Sequence, residues 1–498
     1  MFREFPVTKL LVELEADDLL PGILFRTSRR QCDEDVERLN EAKIGSINRE
    51  RRDVLLAQID AILAKYQIEP DIVRGHPQYP ALTRTASGAH HAGQLLQWRL
   101  LLEELMSRGC LRLMIATGTV AAGVDFPARS VVVTAHSKRG AEGFNELSPS
   151  EFQQMSGRAG RRGKDSVGVC LVAPGQFSDA RVIHQISQRS AEPLRSAYFA
   201  APATVLNLLK FRSVEDLRFT VERSLAAFID RRHGKALREE AHELEGNRHE
   251  ESDIERPEQD QHSSVQNGGE ESLATKSVSA AAKKQLKRAR RKVREAEELE
   301  QRQIRQLELS LSGLRALGYL DDRGLTDKGV WSAELCTSLV LHLAEAIEDG
   351  VFFELPEDQL AALVGSIAGD SHRMYFSLAQ NPFDDERYQP LREIVSRVRE
   401  KYKGPSTATE TEVLPDGSLT VFTWYHASDW ASFAALLRLA GVAEGDAARL
   451  ITQTADHLHQ ISRLFESHPD LARTAHNARE QLLRPPLTES LVVQRSLG

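Results

Sequence analysis

The sequence is poor in cysteine and in long apolar runs. Four cysteines are scattered over 498 residues, at positions 32, 110, 170 and 336, with no C-x-x-C pair. This spacing argues against a zinc site or a disulfide framework and predicts ordinary buried thiols. No apolar run approaches the roughly 18 residues needed to cross a bilayer, and MFREFPVTKL lacks the basic-then-apolar pattern of a signal peptide. We therefore expect a cytoplasmic protein without a membrane partner.

The overall composition is that of a folded chain, with 41% hydrophobic and 27% charged residues. These values exclude a wholly disordered or collagen-like protein, and at ~100–200 residues per domain the length predicts about three or four domains. The net charge of −8 argues against a uniformly basic nucleic-acid coat. It is still compatible with a local basic groove, because an average hides patches.

Residues 1–188 alternate short apolar strands with amphipathic helices. The predicted strands are 22–25, 111–116, 130–134 and 168–172, with predicted helices at 8–20 and 94–108. This alternation predicts a parallel sheet covered by helices on both faces. Residues 189–232 are predicted to be helical and packed.

The composition changes after residue 232. Residues 250–261 carry six acidic residues in twelve, which with few aliphatics predicts disorder over about 236–279. Residues 283–294 then hold eight Lys or Arg in twelve, within a predicted helix over 280–311. This basic run is either a solvated helix face or a surface for RNA or a partner. Residues 311–498 are predicted to be mostly helical, beginning with a helix and a short wing at 314–326.

Two segments carry residue types that bind nucleotide phosphates. The first, residues 116–128, follows a strand, and ligands bind at the carboxyl ends of parallel strands. In it Gly123 lets the backbone approach a ligand, Thr117 and Thr119 offer hydroxyls to phosphate, and Asp125 can accept from a ribose hydroxyl.

The second segment, QMSGRAGRRG at residues 154–163, contains Arg158 and Arg161. Three residues apart, both can face one side of a helix. Arginine stays charged and binds phosphate through a planar fork, which suits charge on a transferred phosphoryl group. An isolated G-R-x-G-R sequence is equally well explained as a solvated loop, but its pairing with the first segment favours phosphate chemistry.

Together the two segments resemble motifs V and VI of superfamily 2 helicases. Residues 21–32 resemble motif IV, and residues 90–93 resemble the HHxG segment between motifs IV and V. The QMSGRAGRRG wording is similar to that of the Ski-like branch of DExH helicases, which includes exosome-cofactor RNA helicases. Segments after residue 190 resemble that branch's winged-helix segment and its C-terminal helical, DSHCT-type domain.

The resemblance implies an α/β RecA-like parallel-sheet domain, then a winged-helix segment and a mostly helical C-terminal domain. The implied divisions are 1–188 for the second RecA-like domain, 189–232 for the winged-helix segment, 233–310 for a disordered acidic linker plus basic helix, and 311–498 for the DSHCT-type domain.

The resemblance also implies residue roles. Arg161 would be the finger on the γ-phosphate, with Arg158 beside it and Gln154 placing water or phosphate. The implied nucleotide-binding residues are Gly123, Asp125, Gly157, Arg158 and Arg161. The implied nucleic-acid contacts are Ser28, Arg29, Gly93, Thr117, Thr119 and Arg449. ATP with Mg²⁺ is the implied cofactor, and RNA the implied partner, with DNA also possible. His90 and His91 allow a metal-binding alternative, but adjacent side chains diverge and no third ligand is evident, so no metal site is predicted.

The sequence contains no G-x-x-x-x-G-K-[ST] segment and no DExH or DEAD box after a strand. In the family those motifs lie on a first RecA-like domain, which binds the nucleotide phosphates and magnesium. Our interpretation is the C-terminal part of an ATP-dependent RNA helicase, completed by a chain that carries the first RecA-like domain. The alternatives are a non-catalytic nucleic-acid-binding scaffold and the product of a truncated or split helicase gene.

Overall fold

The chain divides into two compact units. A computed structural model describes residues 5–42, 45–118, 128–140, 143–161, 163–175, 177–193, 196, 199–253, 271–377, 383–406 and 410–488, except for the side chains of 139–140, 245–253 and 271–282. The first unit comprises Met1–Pro193, Glu354–Tyr388 and Glu412–Gly498, and the second comprises Leu194–Phe353 and Gln389–Thr411. None of the helices in these described ranges is long and apolar enough to cross a membrane.

The first 188 residues form an α/β domain. Its strands are β1 (Gly22–Arg26), β2 (Ser87–His90), β3 (Leu113–Thr117), β4 (Ser130–Val133), β5 (Ser137–Gly140), β6 (Gly143–Glu146) and β7 (Val169–Val172). Its helices are α1 (Val7–Ala16), α2 (Arg29–Glu41), α3 (Arg49–Tyr66), α4 (Pro70–Arg74), α5 (Tyr79–Thr85), α6 (Leu96–Ser107), α7 (Pro149–Ser156) and α8 (Ala180–Gln188).

Five strands make one parallel sheet in the order β2-β3-β1-β4-β7. The four predicted strands are confirmed. β1, β3 and β4 are almost fully buried, whereas β7 is an apolar run at the edge of the sheet and is only partly buried. β2 was not predicted, since Ser-Gly-Ala-His has no apolar run and is a strand only through its pairing with β3. β5 and β6 form a separate antiparallel hairpin, which was also not predicted.

Both faces of the sheet are covered. Along β1, Ile23 and Phe25 lie in the core formed with α3, α6 and α7, whereas Leu24 lies in the core formed with α1 and α2. This two-sided burial is what the alternation of side chains along a strand requires when helices cover both faces. The RecA-like parallel sheet predicted from the sequence is confirmed.

The second unit is helical around one short hairpin. Its elements through residue 353 are α9 (Pro202–Leu209), α10 (Val214–Glu222), α11 (Leu225–Asp253), α12 (Glu271–Glu300), α13 (Arg302–Ala316), β8 (Leu320–Asp321), β9 (Gly324–Leu325), α14 (Asp327–Ser332) and α15 (Val340–Glu348). The predicted helix and short wing at 314–326 correspond to the end of α13 and the β8–β9 hairpin. A winged helix within 189–232 is not confirmed, because that range holds α9, α10 and the start of α11 and no described strand.

The prediction of a disordered linker is wrong for the part that the structure describes. Residues 233–253 continue α11, which packs against α12 in an antiparallel pair, while 254–270 lie outside the described residues. Ala241, Ala289 and Ala296 are buried, and Lys292 pairs with Glu240. Small buried residues and ion pairs therefore hold together a segment whose charge content suggested disorder. The predicted single helix over 280–311 is two helices, α12 and α13, which meet at Gln301.

The remaining helices complete both units. They are α16 (Glu357–Ala368), α17 (Gln389–Lys401), α18 (Pro415–His426), α19 (Trp430–Leu439), α20 (Glu444–Ser462) and α21 (Pro469–Leu482), with a short 3-10 helix at Asp385–Tyr388. α17 belongs to the second unit, and the others pack in the first unit. The mostly helical C-terminal region is confirmed.

Candidate nucleotide and nucleic-acid sites

The predicted site residues divide between two opposite edges of the parallel sheet. Ser28 and Arg29 follow β1, Gly93 follows β2 and Thr117 ends β3, so these four lie at the carboxyl edge. Arg158 instead lies beside Ala128, two residues before β4 begins, which is the amino edge. Gly123, Asp125 and Thr119 fall outside the described residues.

Helix α7 directly precedes the arginine segment and positions it at the amino edge of the sheet. The helix starts with a reciprocal cap between Ser148 and Glu151, and Phe152 and Met155 anchor it in the core. Gln154 is exposed on its last turn, and Gly157 is the C-cap. The helix thus ends before the arginines. The expectation that Arg158 and Arg161 share a helix face is wrong, because both lie in the loop that follows.

That loop is fastened to the sheet by backbone hydrogen bonds. Ala128 N–H donates to the Arg158 carbonyl over 2.9 Å, and Gly160 N–H donates to the Ala128 carbonyl over 2.7 Å. Gly160 has φ of +95°, which favours glycine. A Cβ on Gly168 would lie 2.3 Å from the Ala159 carbonyl oxygen, so only glycine allows this approach. The loop therefore has a defined backbone position without being helical.

Arg161 forms a two-pronged ion pair with Asp165. Its Nε and Nη2 donate to the two carboxylate oxygens over 2.8 Å each, and its backbone N–H also donates to Oδ2 over 2.8 Å. These hydrogen bonds from Arg161 hold the pKa of Asp165 well below its usual range. The Asp165 side chain is 5% exposed and that of Arg161 is 23% exposed. Arg161 is therefore an oriented cation at the surface of a nearly buried carboxylate.

At the carboxyl edge, the predicted nucleic-acid contacts meet helix α20. Ser28 is exposed and caps α2, with its hydroxyl accepting the Gln31 N–H over 3.2 Å. Nη1 of Arg29 donates to both carboxylate oxygens of Asp446, over 2.9 and 2.7 Å, and Arg373 pairs with the same carboxylate. Asp446 is in the first turn of α20, where a negative charge is favoured by the helix dipole. The group predicted to contact RNA phosphate thus contacts a carboxylate of this chain.

Gly93 lies directly against α20. The Gly445 N–H donates to the Gly93 carbonyl over 2.9 Å. A Cβ on Gly445 would lie 2.6 Å from the carbonyl oxygens of Ala92 and Gln94. Glycine at 445 is therefore what allows α20 to reach the segment after β2.

A cluster of polar side chains packs against the segment that follows β2 and contains Gly93. Asp33 Oδ1 accepts from Gln78, His91 and Gln94 over 2.6, 2.9 and 3.0 Å. The Gly93 N–H donates to Nδ1 of His91, so His91 carries its proton on Nε2, facing Asp33. These residues border a cavity of about 430 Å³ that Arg438 and Glu444 also line. His90 turns the other way, toward buried Glu103 at 2.7 Å, so the two histidines share no ligand position.

The basic segment of α12 carries a run of exposed cations. Seven of its eight cations are exposed: Lys283, Lys284, Lys287, Arg288, Arg290, Arg291 and Arg294. The eighth, Lys292, is half-buried and pairs with Glu240, while Arg294 pairs with Glu298. Arg449 is likewise exposed on α20, one turn after Asp446, and Thr117 is half-buried at the end of β3.

Sequence reasoning missed the acidic partners. Asp165 lies four residues after Arg161, a spacing that the sequence already displayed. Asp446 gave no signal, because its partner Arg29 is 417 positions away. The exposed Phe144 on β6, stacked on Phe177 with ring centres 5.7 Å apart, was also missed, since one phenylalanine between polar residues forms no pattern.

Two family models match the chain. Residues 86–163 match the helicase conserved C-terminal domain, and residues 322–490 match the DSHCT (NUC185) domain. The first range contains β2, β3 and the arginine loop. The second runs from β9 through α21.

Several curated helicases are similar to about half of the chain. The DExH-box ATP-dependent RNA helicase DExH15 of Arabidopsis thaliana is 30% identical over 48% of this chain and 21% of its own length. Superkiller complex protein 2 of Mus musculus is 32% identical over 46% of this chain and 18% of its own length. The probable helicase HelY of Mycobacterium leprae is 30% identical over 46% of this chain and 25% of its own length. The matched part thus spans about a fifth to a quarter of these relatives.

The order of the two domain models, the five-stranded parallel sheet and the superkiller-type relatives agree with the resemblance in the sequence. In its sequence motifs, its fold and these matches, the chain is similar to the C-terminal portion of Ski-like superfamily 2 DExH helicases.

Proposed function

We propose that this chain supplies the arginine finger and part of the RNA-binding surface of an ATP-dependent RNA helicase. The P-loop and the DExH carboxylates, which this sequence does not contain, come from a first RecA-like domain. The RNA is single-stranded or a duplex with an overhang. The cytoplasmic location expected from the sequence remains part of this proposal.

The observation that carries the proposal is the oriented guanidinium of Arg161. A cation held on a fixed loop can meet the negative charge that develops on a transferred phosphoryl group. Arg158 and Gln154 belong to the same segment, and we assign them supporting contacts to the γ-phosphate and its water. Among the described residues, there is no group of three His, Cys, Asp or Glu suited to a metal ion. Following the family that the sequence resembles, we assign Mg²⁺ binding to the first RecA-like domain.

The RNA surface is supported by exposed cations rather than by Arg29. The exposed cations of α12, with Arg449, offer point charges for phosphates. Ser28 and Thr117 remain proposed backbone contacts at the carboxyl edge. If the chain has only this RNA surface, it is a non-catalytic nucleic-acid-binding scaffold. The helicase component needs Arg161, whereas the scaffold does not.

The test is ATP hydrolysis by the chain with and without a first RecA-like domain from a DExH helicase of the Ski-like branch, added in trans or fused. We expect no RNA-stimulated turnover by the chain alone. With the added domain, Arg161→Lys should lower kcat by roughly 10³-fold or more, because lysine lacks the planar fork. RNA Kd should change little.

The matched control is Arg189→Lys, which alters a surface ion pair with Glu146 in the same unit. Turnover by the isolated chain would contradict the proposal. Equal kcat for the two variants would favour the scaffold.

A further inference from the structure

The carboxylate of Asp165 fixes the plane of the Arg161 guanidinium. Nε donates to Oδ2 and Nη2 donates to Oδ1, each over 2.8 Å. Two parallel bonds of this kind determine orientation as well as distance. Of the three guanidinium nitrogens, Nη1 is the one that is not bonded to Asp165.

Asp165 is part of the same turn as Arg161. The N–H groups of Lys164 and Asp165 donate to the Arg161 carbonyl over 3.1 and 3.0 Å, and the Arg161 N–H donates back to Asp165 Oδ2. A carboxylate tied to the backbone of residue 161 moves with that residue. The Asp165 carboxylate therefore holds the Arg161 guanidinium in place on its own loop. An anion on a separate element could instead pull the guanidinium away from a ligand.

We propose that Asp165 is a positioning residue that holds Arg161 in one rotamer, with Nη1 presented to the γ-phosphate. The inference rests on the proposed function, since it assumes that Arg161 is the finger. An unrestrained arginine samples many rotamers, and turnover would then require ordering it at each cycle. A donor that is oriented beforehand needs no such reorganisation when charge develops on the phosphate.

The first test measures kcat, the KM for ATP and RNA Kd in the completed helicase. Asp165→Asn keeps the size of the side chain and one oxygen, but it loses the charge and the second acceptor. We expect kcat to fall roughly 10- to 100-fold, with the KM and Kd within twofold. Asp165→Glu should recover part of kcat. In an Arg161→Ala background Asp165→Asn should have no further effect, because Asp165 acts through Arg161.

The second test needs no activity. Phenylglyoxal reacts with arginine side chains, and peptide mapping by mass spectrometry reports the rate at each one. In the chain alone, Asp165→Asn should raise the rate at Arg161 several-fold, and Arg449 serves as the internal standard. Glu146→Gln, which removes the partner of Arg189, is the matched control and should leave the Arg161 rate unchanged.

The two tests separate the failures. If the unmutated chain shows no turnover when it is completed with a first RecA-like domain, the proposed function is overturned, but the orienting contact is not. Unchanged Arg161 reactivity in Asp165→Asn overturns the orienting contact. Wild-type kcat in Asp165→Asn, or an added loss in the Arg161→Ala background, overturns the positioning role even where the helicase is active.

Discussion

The exposed cations of α12 make a quantitative prediction for RNA binding. Lys283, Lys284, Lys287 and Arg291 are exposed and form no ion pair with any side chain that the structure describes. At about 1.5 Å per residue, the segment from 283 to 294 is roughly 16 Å long, so these charges can follow several phosphates of one strand. Replacing all four with Gln keeps residues of similar helix propensity, so the helix should persist.

The expected magnitude follows from counterion release. Each phosphate neutralised on a single strand contributes about −0.7 to the slope of log K against log salt. The fourfold variant should therefore flatten the slope by up to about three units. The assay is fluorescence anisotropy with a single-stranded RNA at a series of salt concentrations, with circular dichroism as the check on helix content.

The same helix provides the control. Lys292 and Arg294 are already paired with Glu240 and Glu298, so changing both to Gln removes charge that is partly neutralised within the protein. Their double variant should flatten the slope by less than one unit. An unchanged slope in the fourfold variant would mean that α12 is a solvated face. An equal change per charge removed in the two variants would mean that net charge alone is responsible.

Three further predictions concern the fold. Gly445→Ala should lower the free energy of unfolding by about 1–3 kcal/mol, because the new Cβ would meet two carbonyl oxygens at 2.6 Å. Gly118→Ala is the control, because its Cβ would lie in open space and should not lower the free energy of unfolding. Urea denaturation compares the two variants. Glu345 is 5% exposed, accepts a hydrogen bond from the Tyr319 hydroxyl over 2.8 Å and forms ion pairs with Lys328 and Arg397. Glu345→Ala should therefore lower the free energy of unfolding by about 3–5 kcal/mol. The control Glu348→Ala should lower it little. Burial lowers the pKa of His76, His342 and His457 from 6.5 to about 4, so the unfolded chain binds more protons between these values. The contribution of these histidines to the free energy of unfolding should be fully present above about pH 6.5 and should fall as the pH approaches 4. His457→Gln should weaken this pH dependence, as measured by urea titrations at several pH values. A stability that rises on acidification would contradict the prediction.

The elements that could be predicted from the sequence are those whose burial leaves a local pattern. β1, β3 and β4 are apolar runs because parallel strands covered on both faces have no solvent side. β7 is also an apolar run, although it lies at the edge of the sheet and is only partly buried. β2 has no such run, and its strand conformation comes from hydrogen bonds to β3. The second half of α11 was missed for the opposite reason. Its charges suggested disorder, whereas the structure buries Leu237 and Ala241 and pairs Arg238 and Glu240 with residues of α12.

The site could be predicted as a set of residues but not as an arrangement. The arginine segment was recognisable from its sequence, but helix α7 ends at Ser156 with Gly157 as its C-cap, so both arginines lie in the loop that follows. The contact of Arg29 with Asp446 joins positions 417 residues apart. No local pattern encodes such a contact.

This contact also bears on which residues would attract RNA in the proposed function. Arg29 and Arg373 face Asp446, and Arg373 also pairs with Asp370, so two cations and two anions meet at the carboxyl edge. A cluster without net charge exerts little pull on a phosphate, and every N–H that Arg29 gives to Asp446 is withheld from RNA. In the proposed function we therefore expect the long-range attraction to come from cations without such partners, as on α12. Consequently Arg29→Gln should change the salt slope of RNA binding by much less than one unit, while lowering the free energy of unfolding because Asp446 loses a partner. A slope change as large as that of the fourfold α12 variant would mean that RNA displaces Asp446 from Arg29.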